Sequence, residues 1–156
     1  MATDRIEREI EIDAPVDVVW TVITEPEHIN GWFTDTAEIE VREGAKGRLG
    51  WTEKSRHRET FVNLKIERVE PPSLLAFRWN YPDDAEPSPS NAPLVEFTLE
   101  PRGDGTHLRI VESGLESVDR SDEAKESYFD EHSSGWSVIV ERLRAYAAEQ
   151  RSTVVG

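Results

Sequence analysis

The stretch FDEHSSGWSVIVERLRAY, residues 129–146, decides how this chain folds. Phe129, His132, Trp136, Ile139, Leu143 and Tyr146 recur at spacings of 3, 4, 3, 4 and 3. At roughly 100° per residue that confines them to a stripe about 100° wide on one face of a helix. Ser121, followed by Asp122 and Glu123, is the expected start, a hydroxyl cap with acidic residues in the first turn. Inside this helix Gly135 costs about 1 kcal/mol relative to alanine, and it stands beside the bulkiest side chain, Trp136. Either a neighbouring backbone comes too close for a side chain, or the missing side chain leaves space that a ligand uses while Trp136 forms the adjoining wall.

A striped helix needs an apolar partner, and the rest of the chain supplies one. RIEREIEID, residues 5–13, alternates with Ile6, Ile10 and Ile12 on one face and acidic residues on the other, Arg8 being the exception on the apolar side. DAPVDVVWTVIT follows, with Asp13 near a helix start, Pro15 in the first turn, and Val19, Trp20 and Ile23 sharing a face. PEHINGWF reads as a second short helix ending near Gly31, with Trp32 and Phe33 at a corner. From residue 37 the period becomes two. AEIEV, GRLGWTEK, TFVNLKIERV, LLAFRWN, LVEFTLE and THLRIVES are strand candidates separated by turn signals such as Gly103-Asp104-Gly105. Consecutive strands with short connections predict an antiparallel meander rather than a parallel sheet. The one long gap, NYPDDAEPSPSNAP at 80–93, holds four prolines and reads as an exposed loop, mobile at its tip. The expected class is α+β, with seven strands in one curved sheet wrapped around the long C-terminal helix and two short helices after the first strand. Space between helix and sheet would be a natural ligand cavity.

The 156 residues suit a single domain, 1–156, with 151–156 a flexible tail. No run of 18 apolar residues occurs, and MATDRIEREIEID is charged where a secretory signal would be apolar, so a cytoplasmic protein without membrane insertion is expected. The absence of cysteine excludes disulfides, thiolate metal sites and a thiol nucleophile. A net charge of −14 repels phosphates and anionic lipid, which argues against nucleic acid as a partner. Fourteen arginines against four lysines leave a halophile's solvated surface and codon bias equally open as the origin of that acidity.

Five segments in succession carry a family resemblance: IEIDAPVDVVWTVITEPEHINGWF, VREGAKGRLGW, LAFRWN, VEFTLEPRGDGTHLRIVESG and GWSVIVERLRAY. Together, over about residues 5–148, they resemble the heat-shock-protein-90 ATPase activator homologue family of the START-like (SRPBCC) helix-grip superfamily. The resemblance implies a strand, two short helices, six strands and a long helix enclosing an apolar cavity. It implies function only loosely, because the superfamily includes lipid carriers, sensors, polyketide cyclases and co-chaperone domains.

The residues themselves narrow the chemistry. His28, His57, His107 and His132 show no ligand spacing for a metal, and neither a nucleophile elbow nor a phosphate or dinucleotide loop is present. No cofactor is expected. His132 lies on the apolar helix face one turn before Trp136, either as a core histidine satisfied by a neighbour or as a polar contact to a cavity ligand. Glu112 shares a strand face with Leu108 and Ile110, so it must pair, with a residue such as Arg8, or sit where the cavity opens. The tryptophans are packing residues first. Yet Trp51 alternates with Leu49, and Trp79 with Phe77 and Leu75, so several should converge on one interior. The expected ligand-facing set joins these walls, Trp32, Trp51, Trp79 and Trp136, to the inward strand residues Leu64, Phe77 and Phe97. On the polar and helical side it adds Glu112, His132, Gly135 and Ile139. Aromatic walls with few polar groups suit a flat hydrophobic small molecule, lipid-like, polyketide-like or flavonoid-like, bound without catalysis. The alternatives are a cyclase- or hydrolase-like enzyme, with His132, Glu112 or Arg8 polarising a carbonyl, and a chaperone ATPase activator. A homodimer is compatible with the sequence, and a chaperone partner has no support in it beyond the family name.

Overall fold

The structure, a computed structural model, describes residues 5–53, 58–82 and 84–154. Strand β1 (Arg5–Ile12) leads into helices α1 (Val16–Thr24) and α2 (Pro26–Trp32). A meander follows: β2 (Thr36–Glu38), β3 (Lys46–Glu53), β4 (Arg58–Glu70), β5 (Leu74–Trp79), β6 (Leu94–Arg102) and β7 (Gly105–Ser113). Helix α3 (Asp122–Val154) ends the described chain. All seven strands form one sheet in the order β1-β7-β6-β5-β4-β3-β2, each pair antiparallel. The meander therefore runs in sequence order, and the first strand closes onto the last. This is the expected α+β helix-grip architecture. No helix among the described residues is long and apolar enough to cross a membrane.

Local chemistry explains the elements. In β1, Ile6, Ile10 and Ile12 are buried while Glu7, Glu9 and Glu11 face solvent, the signature of a strand with one wet face. The β6–β7 hairpin turns through Gly103 at φ +58°, a left-handed conformation that glycine adopts without steric cost. A register shift between Ile66 and Arg68 inserts a bulge where β4 pairs with β5, and bulges bend the strands that carry them. Ser121 caps α3: its hydroxyl accepts from the Ala124 amide at 3.1 Å and its carbonyl from the Lys125 amide at 3.0 Å. The buried residues of α3 include Trp136, Val140, Leu143 and Ala147, with Phe129, His132, Ile139 and Tyr146 half-buried beside them. The stripe read from the sequence is thus the face the helix lays on the sheet. Each large aliphatic or aromatic side chain buried there contributes roughly 1.5–3 kcal/mol.

Several local expectations need correction. Pro15 stands at the N-cap of α1, with no side-chain bond, rather than in its first turn, and Asp13, just before the helix, pairs with Arg151 near the end of α3. Helix α3 runs to Val154, and residues 155–156 lie outside the described set. AEIEV is a strand only through Glu38; Ile39 and Val41 pack against the core from irregular backbone. The described residues of the proline-rich connection 80–93 form no helix or strand, but both ends are pinned. Tyr81, Ala92 and Pro93 are buried, the Tyr81 hydroxyl donates to the Leu64 carbonyl at 3.1 Å, and the Asp119 amide reaches the Ser90 carbonyl at 2.7 Å. His57 lies outside the described residues.

Candidate functional site

Glu112 is the organising group. Strand β7 delivers it to the inner face in line with Leu108 and Ile110, and it is 3 % exposed. An isolated carboxylate there would be strongly disfavoured, yet this one is saturated. The Trp79 indole N–H donates to Oε2 at 2.7 Å and the Tyr128 hydroxyl to the same oxygen at 2.5 Å. The Trp136 indole N–H donates to Oε1 at 2.9 Å, and His132 Nδ1 lies 2.9 Å from that oxygen. Burial pushes the Glu112 carboxyl up, but His132 beside it and the bonds from Tyr128 and Trp136 outweigh that, leaving it below its ordinary value. It is therefore an ionised acceptor inside an aromatic box. The same arrangement pushes the Tyr128 hydroxyl well above the normal phenol range, since burial and the adjacent negative charge both oppose its ionisation.

The helix supplies this box by spacing alone. Tyr128, His132 and Trp136 stand four residues apart, so they line up over one strand residue. The expected partner, Arg8, is not part of it. In the β1–β7 register Glu112 lies opposite Ile6 and Arg8 opposite Ile110. The Arg8 guanidinium instead reaches α3, donating to the Ser133 carbonyl at 2.7 Å and to the Ser137 hydroxyl at 3.1 Å. That contact latches the helix to β1 and explains a charged residue on the apolar face.

Beside the box a cleft of about 300 Å³ opens between sheet and helix. Of the residues proposed from the sequence to face a ligand, Trp51, Trp79, His132, Gly135, Trp136 and Ile139 line it, together with Phe33, Val62, Asn80 and Glu131, which sequence reasoning did not assign. Gly135 has its explanation here: a Cβ placed on it would meet no atom within 4 Å. Of the two reasons the sequence leaves open, close backbone approach is excluded and open space remains. Phe33 forms the inner partition. Its ring stacks on Trp32 at 5.1 Å between centroids and touches Trp51, Trp79 and Trp136 at 5.5, 5.9 and 5.7 Å. Its carbonyl accepts the Trp51 indole N–H at 2.8 Å, fixing the cleft's outer wall.

Behind Phe33 the interior is nearly filled. Trp32, Leu64, Phe77 and Phe97 surround a void of only about 20 Å³. These four, also in the expected ligand-facing set, pack one layer deeper than the cleft, with the Trp32 indole committed to the Val22 carbonyl at 3.0 Å. Glu112 likewise lies under the cleft rather than in its lining. A larger recess of about 600 Å³ adjoins the β6–β7 hairpin, but its lining, which includes Pro15, Pro72, Leu99 and Arg151, has no aromatic wall. Among the described residues no three His, Asp or Glu side chains are placed to hold a metal ion.

Polar edges of the cleft are few. Asn80 adopts φ 62°, the left-handed region that asparagine tolerates better than most residues. Its side-chain amide donates to the Tyr128 oxygen at 3.0 Å, since that hydroxyl's own proton is directed at Glu112. Chemically the site is an aromatic slot with one histidine edge, braced from behind by an ionised carboxylate.

Comparisons agree with this architecture. DynU16, a protein of the dynemicin biosynthetic locus, is 25 % identical with a TM-score of 0.72 over 95 % of this chain and 48 % of its own, so the chain spans about half its length. CalU16 of Micromonospora echinospora is 25 % identical, with a TM-score of 0.66 over 96 % of this chain and 80 % of its own. A protein of Nitrosomonas europaea shares the fold at a TM-score of 0.78 and 15 % identity, over 97 % and 99 % of the two chains. No curated protein matches the sequence. Residues 13–148, most of the chain, match the family described as activator of Hsp90 ATPase homolog 1-like protein, and the chain belongs to that family.

Proposed function

We propose that this protein binds a flat, hydrophobic aromatic molecule noncovalently in the cleft between sheet and C-terminal helix. The carrying observation is the cleft wall itself: Phe33, Trp51, Trp79 and Trp136 around a space that Gly135 keeps open. Aromatic faces offer large contact area with little side-chain entropy to lose, because the indoles of Trp51, Trp79 and Trp136 are each held by a hydrogen bond. Among the described residues no lysine or arginine lines the cleft, so these walls offer a phosphate or carboxylate no counter-charge. A volume of about 300 Å³ matches the lower end of small-molecule sites. The likeness to DynU16, a protein of a biosynthetic locus, supports a small-molecule role.

A library of flavonoid-like and polyketide-like compounds tests the reading by tryptophan fluorescence. The expected result is saturable, one-site quenching by some members. Binding of nucleotides or sugar phosphates, with none by the aromatic compounds, overturns it.

A further inference from the structure

Resting on that reading, we propose that the ligand carries an acidic hydroxyl, a phenol or enol, and that His132, backed by Glu112, takes its proton. An ionised Glu112 can only accept hydrogen bonds, so the 2.9 Å contact requires the proton on His132 Nδ1. In the neutral ring Nε2 is then bare, and among the described residues no protein group bonds to it. The ring cannot easily turn away: Tyr128 stacks on it at 3.7 Å and 17°, and the Trp79 edge meets it at 5.4 Å and 84°. Nδ1 faces the buried carboxylate while the residue lines the cleft, which leaves Nε2 on the ligand's side. A carboxylate fixing the tautomer of a histidine whose other nitrogen faces the substrate is the arrangement that makes an imidazole a competent proton acceptor.

The rest of the polar lining points the same way. One N–H of the Asn80 amide is committed to Tyr128, its oxygen is an acceptor, and Glu131 is a carboxylate. Among the described lining residues His132 Nε2, the Asn80 oxygen and the Glu131 carboxylate are all acceptors, and a ligand hydroxyl is the donor that complements them. On transfer the ligand O–H bond breaks, an Nε2–H bond forms, and the electron pair stays on the ligand oxygen. The imidazolium so created lies between the new oxyanion and Glu112. Among the described residues, the charged or titratable groups facing His132 are Glu112 from β7 and Tyr128 and Glu131 from α3. Arg8 from β1 is turned to Ser133 and Ser137, and Arg120 lies over the Tyr128 ring at 5.8 Å. Among the described lining residues no cation competes with the imidazole for the oxyanion.

The test compares 7-hydroxycoumarin with 7-methoxycoumarin, the same ring with its proton replaced by a methyl group, on the full chain and on His132→Phe. Wild type is expected to bind the hydroxy compound about tenfold more tightly, the ratio one charge-assisted hydrogen bond provides. The bound probe should show the phenolate absorption band at a pH where the free probe is mostly neutral. His132→Phe, which keeps a ring on Tyr128, should bind both compounds within about twofold of each other with the hydroxyl unionised. Equal affinities in wild type, or a bound hydroxyl that stays neutral, overturn the proton-acceptor role while leaving the aromatic cleft standing. Binding of neither compound to wild type removes the cleft reading and this one with it. The wild-type pair decides the question even should the variant fold poorly.

Discussion

At one end of the interior the Tyr146 ring lies so close over α2 that a Cβ on Gly31 would fall 2.2 Å from its Cε2, whereas a Cβ on Gly135, three turns earlier along α3, would meet nothing within 4 Å. Both glycines sit in helices, and both cost their helix about 1 kcal/mol relative to alanine. Gly31 lets α2 approach α3 while Tyr146 bonds His28 Nδ1 at 2.8 Å. Gly135 permits no approach at all; it borders the cleft. The same residue type thus marks the sealed contact of α2 with α3 and the open stretch where α3 borders the cleft, and what separates them is the neighbour each meets. The cleft is open because one helix position lacks a side chain and Phe33 closes off the packed interior behind it.

Removing the wall at the open end should have the largest effect. Trp136→Ala deletes a side chain that is 3 % exposed, together with one of the donors to Glu112. A loss of about 3–5 kcal/mol in chemical denaturation is expected, with aromatic-ligand quenching abolished. Retained ligand affinity would place the cleft elsewhere. Next comes Glu112→Gln, which turns an amide N–H₂ towards groups that are all donors and should cost about 3 kcal/mol. Because the folded-state pKa of Glu112 lies below its ordinary 4.5, its stabilising contribution is complete above that value and disappears as pH falls through the lowered one. Wild type should therefore lose stability more steeply than Glu112→Gln in acid below about 4.5, in denaturation midpoints compared across pH. Parallel curves would mean the carboxyl is not ionised in the box.

The two glycines give the smallest effects and the clearest contrast. Gly31→Ala must push the Tyr146 ring aside, and overpacking of about 1–3 kcal/mol set against the helix gain of about 1 leaves a net loss near 1 kcal/mol. Gly135→Ala should instead gain up to about 1 kcal/mol, while its methyl group weakens ligand binding. Thermal melts and a quenching titration on both variants decide this. Should Gly135→Ala be more stable with unchanged affinity, that face of α3 is not at the ligand.

The contrast between the two ends was only half legible in the sequence. The α3 stripe and the alternation in β1 and β3–β7 identify elements and inward faces, because periodicity records which side chains leave water. Depth along an inward face leaves no such trace. Leu64, Phe77 and Phe97 carry the same pattern as Trp79, yet Phe33 separates them from the cleft. Phe33 itself follows the last helical residue of α2, where its direction depends on tertiary packing rather than on any repeat. Tyr128 was readable in principle, four residues before His132 on the line through Trp136. The Arg8–Glu112 pairing failed on register, since shared faces do not say which residues stand opposite, and β1 sets Ile6 against Glu112. Asn80 was invisible: nothing before the structure shows a left-handed residue at that corner.

The central claim, an open aromatic cleft partitioned from a closed core, can be read from the indole N–H signals of the five tryptophans. In a ¹⁵N-labelled sample titrated with 7-hydroxycoumarin, Trp51, Trp79 and Trp136 should shift in a common saturable curve. Trp32, sealed behind Phe33, and Trp20, on α1, should hold still. A shift at Trp32 as large as that at Trp136, or a response confined to Trp20, would contradict the account.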